Sequence, residues 1–106
     1  MAAPDAVNVL PLEGEIDLHV SPRVERSLSS IIAKRPEHVV VELSGVTFID
    51  SSGLAALINA RQDVKEYGGK LTLAGINKNV RSIFETARLD QFFLIDPGDD
   101  ELLAAD

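Results

Sequence analysis

Two adjacent serine hydroxyls stand in the segment Asp50-Ser51-Ser52-Gly53, between an apolar run and a helical pattern. Asp and Ser favour the start of a helix, because a side-chain oxygen there accepts a backbone N–H that has no partner within the helix. One hydroxyl is redundant for such a cap and is available for covalent modification. A phosphate on Ser51 would lie at the positive end of the helix dipole, near free N–H groups, and would add about 1.5 to 2 negative charges. The segment is therefore a candidate binding switch.

A simpler interpretation of the same four residues is a helix cap with a spare hydroxyl and no further role. Such a cap stabilises a helix by about 1 kcal/mol, and capping serines are common. Residue types alone leave the two interpretations open.

The sequence contains other residue types that can perform catalysis, but together they do not form a complete catalytic set. Glu13, Glu15 and Asp17 are clustered carboxylates that can do acid–base chemistry, although a solvated acidic loop is the simpler interpretation. His19 and His38 lack the partners and the spacing of a catalytic triad or a zinc site. The chain has no cysteine, which excludes thiol catalysis and disulfides. We therefore predict no enzymatic activity, no metal and no cofactor.

Composition sets the class of protein. The 106 residues are 45% hydrophobic and 25% charged, which predicts a single domain over residues 1–106 with a core of its own. There is no apolar run long enough to cross a membrane and no signal-peptide pattern at the start, so we expect a cytoplasmic protein without direct membrane contact.

The net charge of −7 is concentrated near the end of the sequence. The last eleven residues contain five acids and no base: Asp96, Asp99, Asp100, Glu101 and Asp106. The remainder is close to neutral, without the basic face that phosphate contacts need, so nucleic-acid binding is not expected.

The polar residues discussed above lie within a sequence in which strand and helix patterns alternate. A helix begins at Ser21, with Ser21 as its cap and Pro22 at its first position, and a central helix runs from about Ser52 to Tyr67. Asn77 or Asn79 caps a third helix, and residues 99–105 suit a final turn or two. Strands are predicted at 7–12, 39–43, 71–73 and 92–95, and turns at 14–17, 44–45 and 68–69. This alternation predicts an α/β fold with a largely parallel sheet.

Apolar positions at helical and strand spacing predict which side chains form the core. We expect most of the following to be buried: Leu28, Ile32, Val41, Leu43, Leu57, Ile58, Val64, Ile83 and Phe84.

At these positions the sequence resembles the single-domain STAS proteins that act as bacterial anti-sigma factor antagonists. The segment 48–54, Phe-Ile-Asp-Ser-Ser-Gly-Leu, looks like the family signature. The resemblance extends over almost the whole chain, since the order of the other segments also matches: 14–17, 39–43, 68–71, 80–84 and 92–93. The Asp-Ser-Ser-Gly motif alone is short, but in this order with the other segments it is specific.

The resemblance implies a small α/β fold, with helices mainly on one face of a mixed sheet, and a partner-switching function. In that family the unphosphorylated protein binds an anti-sigma factor that is also a serine kinase, and so frees the sigma factor. The implied phosphorylation site is Ser51, and a phosphatase resets it. Asp17 matches a position that faces the kinase's nucleotide site. The implied partner surface comprises Asp17, Asp50, Ser51, Ser52 and Gly53.

Two features depart from the family pattern. The segment before Gly14 is short, so the usual pair of N-terminal strands is reduced to one, and the C-terminal helix is short as well. STAS domains also serve as regulatory subunits of lipid-transport ABC systems, and this role is the alternative to an antagonist.

Overall fold

The structure, a computed structural model, describes residues 7–95, and strands and helices alternate along them. The strands are β1 (Val7–Ile16), β2 (His38–Ile49), β3 (Lys70–Ala74) and β4 (Leu94–Ile95). The helices are α1 (Ser21–Ile32), α2 (Ser51–Glu66) and α3 (Lys78–Thr86). The predicted helical segment 99–105 and the acidic residues after Ile95 lie outside the described residues.

The four strands form one sheet in the order β1-β2-β3-β4, and each neighbouring pair is parallel. Along β2, the buried side chains Val39, Val41 and Leu43 alternate with partly exposed ones, so one face of the sheet packs on the helices. On the opposite face, Val9 is 57% and Leu94 55% exposed. The predicted α/β fold, with a largely parallel sheet and helices mainly on one face, is confirmed, and the described strands of the expected mixed sheet are all parallel.

Local sequence explains the ends of the helices. Gly68 follows α2 with φ +88°, a conformation that glycine adopts without strain, and thereby ends the helix as predicted. The carboxamide oxygen of Asn77 accepts a hydrogen bond from the backbone N–H of Val80 at 3.0 Å, so Asn77 is the cap of α3.

Two predicted turns are wrong, because the strands continue through them. β2 runs without interruption from His38 to Ile49, and the Ser44-Gly45 pair lies within it. Gly45 faces Glu13 of β1, and a side chain at Gly45 would begin 3.0 Å from the Glu13 Cβ. Glycine therefore avoids a tight contact where the two strands approach each other. Likewise, Gly14 belongs to β1 at a shift in register, and the chain turns only after Ile16.

The prediction that Ser21 caps α1 is also wrong. The cap position is Val20, no side chain caps the helix there, and Ser21 is buried at 3% exposure. The backbone N–H groups of Val20 and Ser21 donate instead to the carbonyl oxygen of Asp17, at 3.0 and 2.8 Å. The turn before α1 thus provides the hydrogen bonds at the helix start that the sequence had assigned to Ser21.

Of the nine predicted core residues, Ile32, Ile58 and Ile83 are only partly buried. The remaining six are at most 2% exposed: Leu28, Val41, Leu43, Leu57, Val64 and Phe84. The last strand is shorter than predicted, since Phe92 and Phe93 precede it and pack edge to face, with Phe93 also packing against Phe84.

Candidate functional site

The parallel pairing of β1 with β2 brings the two predicted site aspartates to the same edge of the sheet. Ile16 pairs with Ile49, and each is followed by an aspartate, Asp17 or Asp50. The backbone N–H of Asp50 donates to the carbonyl oxygen of Ile16 at 3.1 Å, which joins the two strand ends directly. The turn after β1 and the first residues of α2 therefore lie side by side.

Asp50 is the N-cap of α2. One of its carboxylate oxygens, Oδ1, accepts from the backbone N–H of Ser52 at 2.9 Å, from that of Gly53 at 3.2 Å and from the Ser52 hydroxyl at 2.6 Å. The hydrogen bond from the Ser52 hydroxyl is the main cause that lowers the pKa of Asp50 below its ordinary value of 3.8. The backbone amides of Gly53, Ser52 and Leu18 lower it further. Asp50 is thus held ionised at neutral pH.

The two serines of the motif differ in what their hydroxyls do. The Ser52 hydroxyl is engaged by Asp50, and the residue is partly buried. Ser51, the first residue of α2, is exposed, and its side chain makes no hydrogen bond within residues 7–95. Ser51 therefore lies exposed at the start of a helix of 16 residues, one residue before the predicted start at about Ser52.

One expectation about the helix start is wrong. A phosphate on Ser51 was expected to lie near free N–H groups, but the Asp50 carboxylate already accepts from the amides of Ser52 and Gly53. A phosphate on Ser51 would therefore lie beside a carboxylate, and the two negative charges would repel each other.

Gly53 has no room for a side chain. A Cβ at this position would lie 2.7 Å from Cγ2 of Ile49 and 2.8 Å from Cγ2 of Ile16, closer than such atoms can approach. The first turn of α2 therefore packs directly on the ends of β1 and β2, which fixes the position of the helix start relative to the two strands.

Asp17 organises the neighbouring turn. One carboxylate oxygen, Oδ1, accepts from the backbone N–H groups of His19 at 3.0 Å and Val20 at 3.2 Å. The His19 ring lies 4.0 Å from the same oxygen and is almost fully exposed. These hydrogen bonds stabilise the turn next to α2, while the Asp17 side chain stays partly exposed to solvent.

Exposed apolar side chains near these polar residues were missed in the sequence. Leu18 is 70% exposed in the turn after β1, and Phe48 is 45% exposed just before the motif. A groove of about 380 Å³ also opens between α2 and α3. Its lining is mostly apolar and contains no Lys or Arg: Ile49, Ser51, Leu54, Ser82, Ile83, Thr86 and Ala87. The only feature of the sequence that indicated this surface is Leu18, an apolar residue next to the acidic turn 14–17.

Comparison with known proteins identifies the family. A model of the STAS domain matches residues 1–102 of the chain. The chain belongs to the STAS family. It is 30% identical over 84 residues to an anti-sigma F factor antagonist of Paenibacillus polymyxa, and the match covers 78% of this chain and 72% of that protein.

Two further proteins resemble this STAS domain. An anti-sigma-B factor antagonist of Listeria monocytogenes is 27% identical over 82 residues, which cover 77% of this chain and 72% of that protein. The crystal structure of an anti-sigma factor antagonist from Mycobacterium paratuberculosis superposes with a TM-score of 0.80 at 28% identity, covering 98% of this chain and 88% of that one. These relatives are regulatory proteins by name.

The helices of this STAS domain were also compared with the length and apolar character of a membrane-spanning helix. Within residues 7–95, no helix combines the length and the apolar character required to span a bilayer.

Proposed function

We propose that this STAS domain is an anti-sigma factor antagonist, which binds an anti-sigma factor through the surface around Ser51. The observation that carries the proposal is the exposed, neutral Ser51 hydroxyl beside the apolar groove between α2 and α3. The relatives named as antagonists support the same role. The encounter takes place in the cytoplasm, with the anti-sigma factor acting as a serine kinase.

The proposed partner surface combines a polar centre with apolar surroundings. Ser51, Ser52 and Gly53 provide the helix start, and Asp50 and Asp17 hold it against the neighbouring turn. Leu18 and Phe48 add exposed apolar area, which favours association when a partner covers it. A neutral Ser51 adds no further charged group that a partner has to remove from water when it packs here.

Phosphorylation of Ser51 switches the interaction off in this proposal. The phosphate adds about 1.5 to 2 negative charges next to the ionised Asp50. The groove that begins at Ser51 is lined by no basic residue that would compensate them. A partner that covers the modified surface must therefore desolvate unpaired charges, which weakens binding. A phosphatase that removes the phosphate from Ser51 restores the interaction.

The domain is then a substrate of the kinase and not an enzyme itself. Ser51 has no histidine or second base hydrogen-bonded to its hydroxyl within residues 7–95, so the kinase has to supply the base that activates it.

The choice between the two serines is tested by phosphorylation with a purified anti-sigma factor kinase of the same organism, ATP and Mg²⁺, followed by intact mass measurement. We expect one added phosphate on the wild-type protein and on Ser52→Ala, and none on Ser51→Ala. Ser52→Ala is the matched control, because it removes the neighbouring hydroxyl and keeps the exposed one. Phosphate uptake by Ser51→Ala at the wild-type rate would contradict the assignment of Ser51.

A further inference from the structure

One face of the described sheet is not covered by the helices. Connections between neighbouring parallel strands are right-handed, so the strand order β1-β2-β3-β4 places α1, α2 and α3 on the same side. Sheets made only of parallel strands occur almost always with both faces covered. We call the side opposite the helices the open face. Its side chains indicate what kind of second layer it fits.

The middle of the open face is apolar. The strand register aligns Val9 with Val40, Val40 with Thr72 and Thr72 with Leu94, so these four side chains form one row across all four strands. Val9 and Leu94 are more than half exposed, as is Val7, two residues before Val9 on β1. Three of the five large apolar side chains that are exposed in residues 7–95 thus lie on this face. Removing this row from water would be favourable.

Opposite charges flank the apolar row along the strand direction. Lys70 lies at the amino end of the strands, in register with His38. Glu42 lies toward the carboxyl end, two residues after Val40 on the same face of β2. One Glu42 carboxylate oxygen accepts from the backbone N–H of Ser44 at 2.7 Å. Within residues 7–95, no ion pair within 4.0 Å involves Lys70 or Glu42. The open face therefore has a basic end and an acidic end, each with an unpaired charge among the described residues.

Lys70 provides the charge of the basic end, because the neighbouring His38 is neutral at neutral pH. The Nε2 atom of His38 lies 2.7 Å from the Thr72 hydroxyl oxygen. Partial burial, and then the charge of Lys70, lower the pKa of His38 below its ordinary value of 6.5. A partner layer that covers this end therefore has to match one cation.

We propose that a second copy of this chain covers the open face, related to the first by a two-fold axis that lies between the two sheets and runs across the strands. This axis reverses the strand direction, so the apolar row of one copy packs on the apolar row of the other. It also places the basic end of each copy over the acidic end of the other, with Lys70 close to Glu42 of the second copy. The open face is then complementary to itself in apolar area and in charge.

The charges distinguish this axis from the other way of stacking two identical faces. A two-fold axis parallel to the strands would place Lys70 over the basic end of the second copy and Glu42 over its acidic end. Like charges that face each other across an interface destabilise it. The axis across the strands is therefore favoured. Ser51 follows the carboxyl end of β2, so this arrangement places the two Ser51 residues of the dimer at opposite ends.

We expect the dimer to be weak, because the open face is small. The strands β2 and β3 pair over five residues, and neighbouring strands are about 4.8 Å apart. Four such strands present much less than the about 800 Å² per partner that stable complexes bury. Interfaces in this lower size range are typical of transient complexes. The protein should therefore be monomeric at low concentration and form dimers as the concentration rises.

The first test is sedimentation equilibrium of the full chain from about 1 µM to about 1 mM, a range that covers weak association, in about 0.15 M salt. We expect the mean mass of wild type to rise from that of a monomer toward that of a dimer. Val9→Lys introduces a charge into the apolar row and should remain monomeric. Leu18→Lys is the matched control, since Leu18 is at least as exposed as Val9 but lies in the turn after β1. It should associate as wild type does.

Circular dichroism checks that both lysine variants are folded before their masses are compared. Wild type that stays monomeric over the whole range would overturn the proposal and leave the open face to a different protein. A dimer that Val9→Lys does not weaken would overturn it as well, because that dimer would form through another surface.

Exchange of the two charges tests the direction of the axis. Lys70→Glu and Glu42→Lys should each weaken dimerisation about tenfold, because both symmetric pairs between the copies then carry like charges. Combining the two substitutions in one chain should recover most of this loss, since each pair is restored with its charges exchanged. Lys34→Glu is the control for net charge, because Lys34 is exposed after α1, away from the sheet. A double variant no better than the single ones, or an equal loss for Lys34→Glu, would overturn the proposed pairing.

Discussion

Ser51 and Ser52 have the same chemistry and differ only in their surroundings. The Ser52 hydroxyl donates to Asp50 at 2.6 Å and so becomes part of the helix cap, while Ser51 is exposed. The position of Ser51 was predictable from the residue types that start a helix. The role of Ser52 was not, because it depends on which carboxylate oxygen its hydroxyl reaches.

At the residue scale, we predict that Asp50→Asn makes the protein less sensitive to acid. The folded-state pKa of Asp50 lies below its ordinary value of 3.8. Its contribution to stability is therefore present above the unfolded-state pKa and is lost as the pH falls through the lower, folded-state pKa. Asparagine also caps helices but does not titrate. Between pH 7 and pH 3, the thermal midpoint of wild type should fall further than that of Asp50→Asn.

The control for this measurement is Asp63→Asn, which changes an exposed carboxylate in the last turn of α2, far from the cap. Its midpoint should follow that of wild type across the same pH range. Parallel curves for wild type and Asp50→Asn would mean that the cap does not contribute to acid sensitivity.

At the element scale, α2 supports the core on one side and presents Ser51 at its first residue. Its buried side chains include Leu57, which is 2% exposed, whereas the neighbouring Ile58 is only partly buried. We predict that Leu57→Ala lowers the free energy of unfolding by about 2–5 kcal/mol, because the structure around a deleted core side chain relaxes only in part. Urea denaturation measures this loss.

Ile58→Ala is the matched control on the same helix. It removes a side chain of equal size from a position that keeps some contact with solvent, so its loss should be smaller. Equal losses for the two variants would mean that α2 does not pack on the sheet through the face that contains Leu57.

The sequence predicted the elements better than their boundaries. The three helices follow from their apolar spacing, and α2 and α3 also from their capping residues, which are local features. The continuity of β2 through Ser44-Gly45 depends instead on the partner strand, because Gly45 pairs with Glu13 of β1 and approaches it closely. Similarly, Asp17 replaces Ser21 at the start of α1 through hydrogen bonds of the preceding turn. The residue types along one element do not predict its interactions with the other elements.

At the scale of the whole molecule, parallel strand order explains why distant parts of the sequence share one site. Asp17 and Asp50 are far apart in sequence, yet each follows one member of the Ile16–Ile49 pair. The alternation of strands and helices predicted this parallel sheet and hence a common edge. It did not predict the groove between α2 and α3, whose lining comes from two helices and the end of β2. Apolar spacing identifies which faces are buried, but not the gap left where two helices diverge.

The central claim is that charge at Ser51 decides whether the partner binds. The direct test is isothermal titration calorimetry of an anti-sigma factor kinase of the same organism with wild type, Ser51→Ala and Ser51→Asp at one salt concentration. Ser51→Ala keeps the surface neutral and should bind as wild type does. Ser51→Asp should bind at least about tenfold more weakly, a difference of about 1.4 kcal/mol, because the added charge stands beside Asp50. Equal affinities of the Ala and Asp variants would contradict the account and favour the transporter-subunit alternative.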